Sequence, residues 1–166
     1  MEEIIRGLWL GDENDANKAA TRGYSILSAC KDSPTGWSHR GMLGYETMAA
    51  PKGAEYLHAR KGNWMALNLI DIDDPDMIPD EVLDAGLHFL KQESRSGKKV
   101  FVHCNAGKSR SATLVLMYLR AIGEMPLWFL GAERKFRAIY PPYEPNSGMR
   151  AHARKRWNTL PKFFKG

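Results

Sequence analysis

The chain has 166 residues, a net charge of +5, and 43% apolar and 26% charged residues. This composition excludes disorder of the whole chain, and no run approaches the roughly 20 apolar residues that a membrane-spanning helix needs. The length predicts one domain over residues 1–166, and the opening MEEIIRGLWLG, which lacks the basic start of a secretory signal, predicts a cytoplasmic protein.

Four short apolar segments predict β-strands: LWLG near Leu8, YSILSAC from Tyr24, MALNLI from Met65 and KKVFVH from Lys98. Patterns with helical spacing come between and after them, over residues 15–22, 79–96, 110–122, 126–140 and 146–157. Continuous apolar strands separated by helices are typical of sheets covered on both sides. The sequence therefore predicts an α/β fold with a central, mostly parallel sheet of four to five strands and helices on both faces.

Residues 31–63 interrupt this alternation with a long connection that contains five glycines, Trp37, Tyr45 and Tyr56. A connection of this length is rarely without a role. We expect an insert near the functional site, and two interpretations stay open. The segment is either a lid or substrate-binding insert, or a small packed unit with a helix of its own.

The segment KKVFVHCNAGKSRSATLVLMYL carries the strongest chemical signal. A strand ends at His103 and Cys104, and Arg110 opens a buried helix. The backbone N–H groups of the loop between them, together with the positive end of the helix dipole, are suited to hold an anion. Arg110 adds a planar fork that matches two phosphate oxygens. The predicted phosphate-binding residues are Asn105, Ala106, Gly107, Lys108, Ser109 and Arg110.

A thiol at the start of such a loop is a candidate nucleophile. The field that attracts phosphate also stabilises Cys104 as a thiolate. Gly107 permits a backbone conformation that a side chain would hinder. A structural cysteine after a buried strand is the alternative, and the glycine and the arginine of the same loop weigh against it.

The stretch HCNAGKSRS, His103 to Ser111, resembles the HCxxGxxR signature, followed by Ser or Thr, of the cysteine-dependent protein phosphatases, and most closely their dual-specificity branch. IIRGLWLG, YSILSACK and YPPYEPNSGM are similar to other segments of that family. The resemblance implies a dual-specificity-phosphatase-like fold. It also implies phosphocysteine chemistry without a metal or other cofactor, on a phosphorylated protein or another phosphomonoester.

The resemblance further implies catalytic roles for Cys104 as nucleophile, Arg110 as phosphate clamp, and Ser111 as the hydroxyl that stabilises the leaving sulfur. From the residues alone, Ser111 serves equally well as a helix cap. His103 is expected to support the loop through hydrogen bonds. We expect no metal site, because no second His, Cys or acid stands at ligand spacing.

A phosphoester also needs an acid that protonates the departing oxygen. The segment LNLIDIDDPDM, just after the third predicted strand, offers four candidates. Aligning Trp64, Leu67 and Leu69 with the strand pattern of the family selects Asp71. Counting back from the next helix selects Asp73 instead, so both remain candidates, with Asp71 preferred. Asp74 and Asp76 are typical of turns and helix caps.

The class of substrate is less constrained. The long recognition loop of tyrosine-only phosphatases has no counterpart here, which favours a dual-specificity enzyme. Lys108 and the basic residues of the insert favour a second hypothesis, a phosphoinositide, inositol phosphate or RNA 5′ end. The insert's basic residues are Lys31, Arg40, Lys52, Arg60 and Lys61. Two hypotheses outside the phosphatases also remain: a noncatalytic phosphate-binding module and a rhodanese-like sulfur carrier.

Six basic residues and no acid follow Glu144. This basic C-terminal helix and tail, residues 146–166, either meets an anionic partner or forms a solvated surface. Cys30 is the second thiol of the chain. It is either buried and inert or a partner that traps an oxidised Cys104 as a disulfide.

Overall fold

The computed structural model describes residues 1–165 and contains a six-stranded sheet with the order β1-β2-β6-β3-β5-β4. The strands are β1 Glu2–Ile5, β2 Leu8–Gly11, β3 Ser25–Ser28, β4 His58–Lys61, β5 Trp64–Leu67 and β6 Val100–His103. The four central strands run parallel, whereas β1 and β4 pair antiparallel at the two edges. The predicted α/β class and mostly parallel sheet are confirmed.

With the two edge strands, the sheet has six strands, more than the four to five expected. Their sequences, EEII and HARK, carry charges in place of the apolar runs that indicate central strands. Charged side chains at a sheet edge are common because they oppose pairing with another chain. The four strands that the sequence indicated are the parallel ones.

Residues 1–165 contain six α-helices: α1 Ala16–Thr21, α2 His39–Leu43, α3 Asp80–Arg95, α4 Arg110–Ala121, α5 Phe129–Ile139 and α6 Ser147–Arg156. Five of them correspond to predicted helices. Helix α5 begins three residues later than its predicted start at Pro126, because Trp128 is extended, with φ −82° and ψ 121°. No helix among residues 1–165 is long and apolar enough to cross a bilayer.

Helices lie on both faces of the sheet, as strand β6 illustrates. Val100 and Val102 belong to the main core with α3 and α4, whereas Phe101 joins the smaller cluster that includes the alanines of α1. Alternate residues of a strand point to opposite faces. All residues of β6 are buried, so the sheet is covered on both sides next to the loop that follows this strand.

Residues 31–63 contain helix α2 and strand β4, and β4 extends the sheet by pairing with β5. The buried imidazole of His39 holds the intervening loop, with Nδ1 3.0 Å from the Tyr45 hydroxyl and Nε2 2.7 Å from the Glu55 carbonyl. The segment therefore contains a small helix and a strand that pack against the sheet.

Candidate active site

The loop between β6 and α4 lies at the carboxyl edge of the parallel strands, where ligands of α/β sheets gather. Cys104 begins this loop directly after β6, and Arg110 begins α4. Within residues 1–165, the backbone N–H groups of residues 105–110 donate to no backbone or side-chain acceptor. The loop therefore keeps its backbone donors available to an anion, next to the start of α4.

The side chain of Cys104 is 2% exposed and accepts a hydrogen bond from Ser111 Oγ, at 3.1 Å from Sγ. Ser111 is fully buried in the first turn of α4. Two uses of Ser111 were open, as a helix cap or as a partner of the sulfur. The hydroxyl of Ser111 faces the sulfur of Cys104. A hydroxyl donor at this distance stabilises negative charge on sulfur.

A chain of hydrogen bonds fixes His103 beneath the loop. Nδ1 donates to the Cys104 carbonyl at 3.1 Å, and Nε2 accepts from Ser28 Oγ at 2.8 Å. Ser28 in turn accepts from Trp64 Nε1 at 3.0 Å. Burial lowers the pKa of His103 to about 4, so the imidazole is neutral near pH 7 and supports the loop without adding charge.

The guanidinium of Arg110 is buried and fixed at two points. Nη1 donates to the Leu69 carbonyl at 3.1 Å, and Nη2 donates to Asn105 Oδ1 at 2.5 Å. Its Nε has no protein partner among the described residues. Leu69 stands two residues before Asp71, so Arg110 connects the loop to the segment that carries the candidate acid.

Glu13 lies behind Asn105 and was not recognised from the sequence. Asn105 Nδ2 donates to Glu13 Oε2 at 2.8 Å and to the Asp32 carbonyl at 3.0 Å. The backbone N–H of Glu13 donates to the Asn105 carbonyl at 3.3 Å. Glu13 therefore orients the amide group that holds Arg110.

Gly107 adopts the left-handed backbone conformation that favours glycine, as expected from the sequence. Its φ is +71°, and a Cβ there would lie 2.6 Å from the Gly11 carbonyl oxygen. The hydroxyl of Tyr140 donates to the Gly107 carbonyl at 2.9 Å. Burial, with a smaller contribution from Cys104, raises the pKa of Tyr140 to about 12, so this hydroxyl keeps its proton.

A cavity of about 340 Å³ opens above the loop. Asp71 lines it, and Asn146 Nδ2 donates a hydrogen bond to Asp71 Oδ1. The backbone N–H of Asn146 donates to Ser109 Oγ at 2.9 Å, while its side-chain oxygen caps α6 at Met149 N. The lining residues are Asp71, Cys104, Asn105, Ala106, Lys108, Ser109, Arg110, Glu144, Pro145 and Asn146.

Asp73, the second candidate acid, does not line this cavity. Its carboxylate accepts from Ser147 Oγ at 3.0 Å, at the start of α6. Asp74 accepts from the backbone N–H of Asp76 and caps the short 3-10 helix Pro75–Met77. Of the two candidate acids, Asp71 lines the cavity together with Cys104, and Asp73 does not.

Lys108 and Glu144 meet at the rim of the cavity. Lys108 Nζ lies 3.6 Å from Glu144 Oε2, and the backbone N–H of Glu144 donates to the Lys108 carbonyl at 2.9 Å. Among residues 1–165, no group of three or more His, Cys, Asp or Glu side chains is arranged to hold a metal ion.

Cys30 is fully buried near the end of β3, the strand that pairs with β6. Its thiol lies 3.4 Å from the Trp37 carbonyl. Burial raises the pKa of Cys30 to about 12, so this residue is a thiol near pH 7 and a weak nucleophile. Both cysteines are free.

Comparisons with known proteins agree with this geometry. The family model described as "Dual specificity phosphatase, catalytic domain" matches residues 47–127, which include Asp71 and the whole loop. The chain is 38% identical to Dual specificity protein phosphatase PHS1 of Arabidopsis thaliana over 46% of the chain. It is 32% identical to human Dual specificity protein phosphatase 26 over 71% of the chain. The chain spans only 8% and 50% of the lengths of these two relatives.

The fold has solved counterparts. The crystal structure of DUSP15 superposes with a TM-score of 0.67 at 19% identity, covering 99% of this chain and 92% of the other. At this identity the likeness concerns the fold, and it extends over the sheet, the helices and the loop that follows β6.

Proposed function

Because the chain belongs to the dual-specificity branch of the cysteine-dependent phosphatases, we propose that it hydrolyses phosphomonoesters through a phosphocysteine intermediate. The proposed substrates are proteins phosphorylated on tyrosine, serine or threonine. The observation that carries the proposal is the hydrogen bond from Ser111 Oγ to Cys104 Sγ, beside a cavity that Asp71 and Arg110 also line.

In the first proposed step, the Cys104 thiolate attacks phosphorus and the bond from phosphorus to the ester oxygen breaks. Asp71 transfers its proton to the departing oxygen. Arg110 and the backbone N–H groups of the loop stabilise the charge that develops on the phosphoryl oxygens. The product of this step is a phosphocysteine and a free hydroxyl group.

In the second step, water attacks the phosphocysteine and the sulfur–phosphorus bond breaks. The Asp71 carboxylate accepts the proton of the water, which returns the acid to its starting state. The Ser111 hydroxyl stabilises the departing thiolate through its hydrogen bond. Inorganic phosphate then leaves, and no cofactor takes part in the proposed cycle.

The alternative substrates, phosphoinositides, inositol phosphates and RNA 5′ ends, receive less support. Three basic side chains of residues 31–63 contact groups away from the cavity: Arg40 pairs with Asp32, Arg60 with Glu93, and Lys61 donates to the Met42 carbonyl. No residue of this segment lines the cavity. These bases therefore offer little to a substrate that carries several phosphates.

The proposal extends to a single phosphatase domain over residues 1–166, a cytoplasmic setting, and an anionic partner for the C-terminal segment. Within that segment, Arg150 pairs with Glu133 and Arg156 pairs with Asp84. The exposed bases that remain are Arg154, Lys155, Lys162 and Lys165. Salt-sensitive retention on heparin that is lost when these four residues are replaced by Gln would support such a partner.

Turnover of para-nitrophenyl phosphate tests the enzymatic proposal. The wild-type chain is expected to release phosphate without added metal, and Cys104→Ser is expected to abolish release while the protein remains folded by circular dichroism. Unchanged turnover in Cys104→Ser would refute Cys104 as the nucleophile. Binding of a phosphopeptide by a folded wild-type chain without any turnover would favour a noncatalytic phosphate-binding module.

A further inference from the structure

We propose that the mouth of the cavity selects phosphorylated residues flanked by lysine or arginine, and that Glu144 is the residue that sets this preference. The inference rests on the proposed phosphatase function and names the class of substrate for the same site. A phosphopeptide with basic neighbours is the favoured ligand, and a polyphosphorylated lipid or inositol is the disfavoured one.

Two cationic side chains line the cavity, Arg110 within it and Lys108 at its rim. Arg110 is 7% exposed, and its Nε has no protein partner among the described residues, so this buried cation is available to the phosphoryl group. Lys108 faces the Glu144 carboxylate at 3.6 Å. Without substrate, the Glu144 carboxylate therefore offsets the charge of Lys108 at the rim.

The pair between Lys108 and Glu144 is open to exchange. The two side chains are 54% and 79% exposed, and exposed ion pairs contribute little, about 0–1 kcal/mol. A lysine or arginine next to the phosphorylated residue can therefore compete for the Glu144 carboxylate. The backbone hydrogen bond from Glu144 to the Lys108 carbonyl keeps this carboxylate beside the loop during the exchange.

The segment that begins at Asp71, which lines the cavity, is also acidic. The segment that carries Asp71 continues with Asp73, Asp74 and Asp76, and all four are exposed. Within residues 1–165, none of these four carboxylates forms an ion pair with a basic side chain. The carboxylates of Asp73, Asp74 and Asp76, which follow the cavity-lining Asp71, attract cationic flanking residues and repel additional phosphates.

The net charge of the whole chain has the opposite sign to the charge proposed for the mouth of the cavity. The net charge is +5, and six of the basic residues follow Glu144. A preference that arose from the overall charge would favour acidic substrates. A preference for basic substrates must therefore come from the local carboxylates.

The test compares kcat/KM for three phosphotyrosine peptides that differ only in the residues on both sides of the phosphotyrosine, which are Lys, Gln or Glu. The wild-type chain is expected to prefer the Lys peptide, and higher salt should reduce the preference. Glu144→Gln should lower the ratio of Lys to Glu peptide about three-fold, and Glu144→Lys about ten-fold, since each changes one exposed charge contact.

Glu124→Gln is the matched control, because Glu124 is exposed and follows α4, at the opposite end of that helix from the loop. It should leave the ratio unchanged. Equal kcat/KM for the Lys and Glu peptides, or a ratio that Glu144→Gln leaves intact, would overturn the inference. Faster release of phosphate from a soluble phosphatidylinositol trisphosphate than from the Lys peptide would also overturn it.

Binding separates this inference from the proposed function. Dissociation constants of the Cys104→Ser variant for the same peptides report the preference without turnover. If the wild-type chain hydrolyses nothing while binding still favours the Lys peptide, the phosphatase proposal fails and the selectivity stands. If para-nitrophenyl phosphate is hydrolysed while binding and turnover ignore the flanking residues, the selectivity fails and the phosphatase proposal stands.

Discussion

The Nη2 atom of Arg110 lies 2.5 Å from Oδ1 of Asn105, so a side chain of the loop itself holds the proposed phosphate clamp. The amide of Asn105 is oriented in turn by Glu13, at 2.8 Å from Nδ2. Because the Glu13 carboxylate and the Asp32 carbonyl both accept from Nδ2, they direct the oxygen of Asn105 toward Arg110. Glu13 is thus a positioning residue for Arg110.

Replacing Glu13 with Ala is expected to lower kcat/KM for phosphopeptides about ten-fold, because a misoriented clamp loses alignment with the substrate. Glu13→Gln keeps an acceptor oxygen for Asn105 and should restore most of the activity. Steady-state kinetics and thermal melting would be measured for both variants, with Glu124→Ala as a control. Equal losses in Glu13→Ala and Glu13→Gln at an unchanged Tm would argue against orientation through the amide.

The identity of the acid is tested with leaving groups of different basicity. Asp71→Ala should lower kcat about 100-fold or more for a phosphate ester with a poor leaving group, and much less for para-nitrophenyl phosphate, since a good leaving group needs little protonation. Asp73→Ala serves as the comparison, because its carboxylate bonds to Ser147 outside the cavity. A larger loss in Asp73→Ala would transfer the role to Asp73.

Alanine substitutions at two glycines with nearly the same backbone angle distinguish a steric clash from conformational strain. Gly107 and Gly23 have φ of +71° and +74°, but a Cβ at Gly107 would lie 2.6 Å from the Gly11 carbonyl, whereas a Cβ at Gly23 would meet nothing within 4 Å. Gly23→Ala should cost about 1 kcal/mol of unfolding free energy from strain alone. Gly107→Ala should cost clearly more and also lose activity. Equal Tm values for the two variants would contradict the close approach at Gly107.

The pH dependence of stability reports on His103. The pKa of His103 in the folded protein is about 4, below the ordinary value of 6.5. The contribution of His103 to the free energy of unfolding is therefore fully present above about pH 6.5 and is lost as the pH falls through about 4. For this residue alone, the free energy of unfolding should fall by about 2 kcal/mol between pH 7 and pH 5. His103→Gln cannot titrate, so its urea unfolding should show a smaller loss over this interval. The same loss in variant and wild type would contradict a neutral His103.

The comparison with the variant is needed because other groups act in the same direction. Burial lowers the pKa of His39 and His152, and hydrogen bonds from Ser25, Lys98 and Arg60 lower the pKa of Glu93 despite its burial. All three groups lose stabilisation as the pH falls, so the wild-type curve alone does not isolate His103.

The fold was predictable because its main signals are local. Each parallel strand is a short apolar run, and the loop from His103 to Ser111 is contiguous, so a thiol, a glycine and an arginine at fixed spacing identify it. The edge strands β1 and β4 escaped prediction because their charged side chains hide the strand pattern. Helix α2 is only five residues long, too short for a clear helical period.

The supporting contacts of the site were not predictable, because they join residues far apart in sequence. Glu13 and Asn105 are 92 positions apart, and Asn146 and Asp71 are 75 apart. Asn146 caps α6 through Met149 N, and its side chain also donates to Asp71. The Tyr140 hydroxyl likewise bonds to the Gly107 carbonyl, 33 positions away in the sequence.

The proposed reaction passes through a covalent bond between Cys104 and phosphorus, and rapid quenching tests this bond directly. The wild-type chain would be mixed with para-nitrophenyl phosphate, quenched in acid within milliseconds, digested and analysed by mass spectrometry. We expect the peptide that contains Cys104 to carry the mass of one phosphoryl group, and Cys104→Ser to carry none. Turnover without any phosphorylated Cys104, or with the phosphoryl group on another residue, would contradict the account.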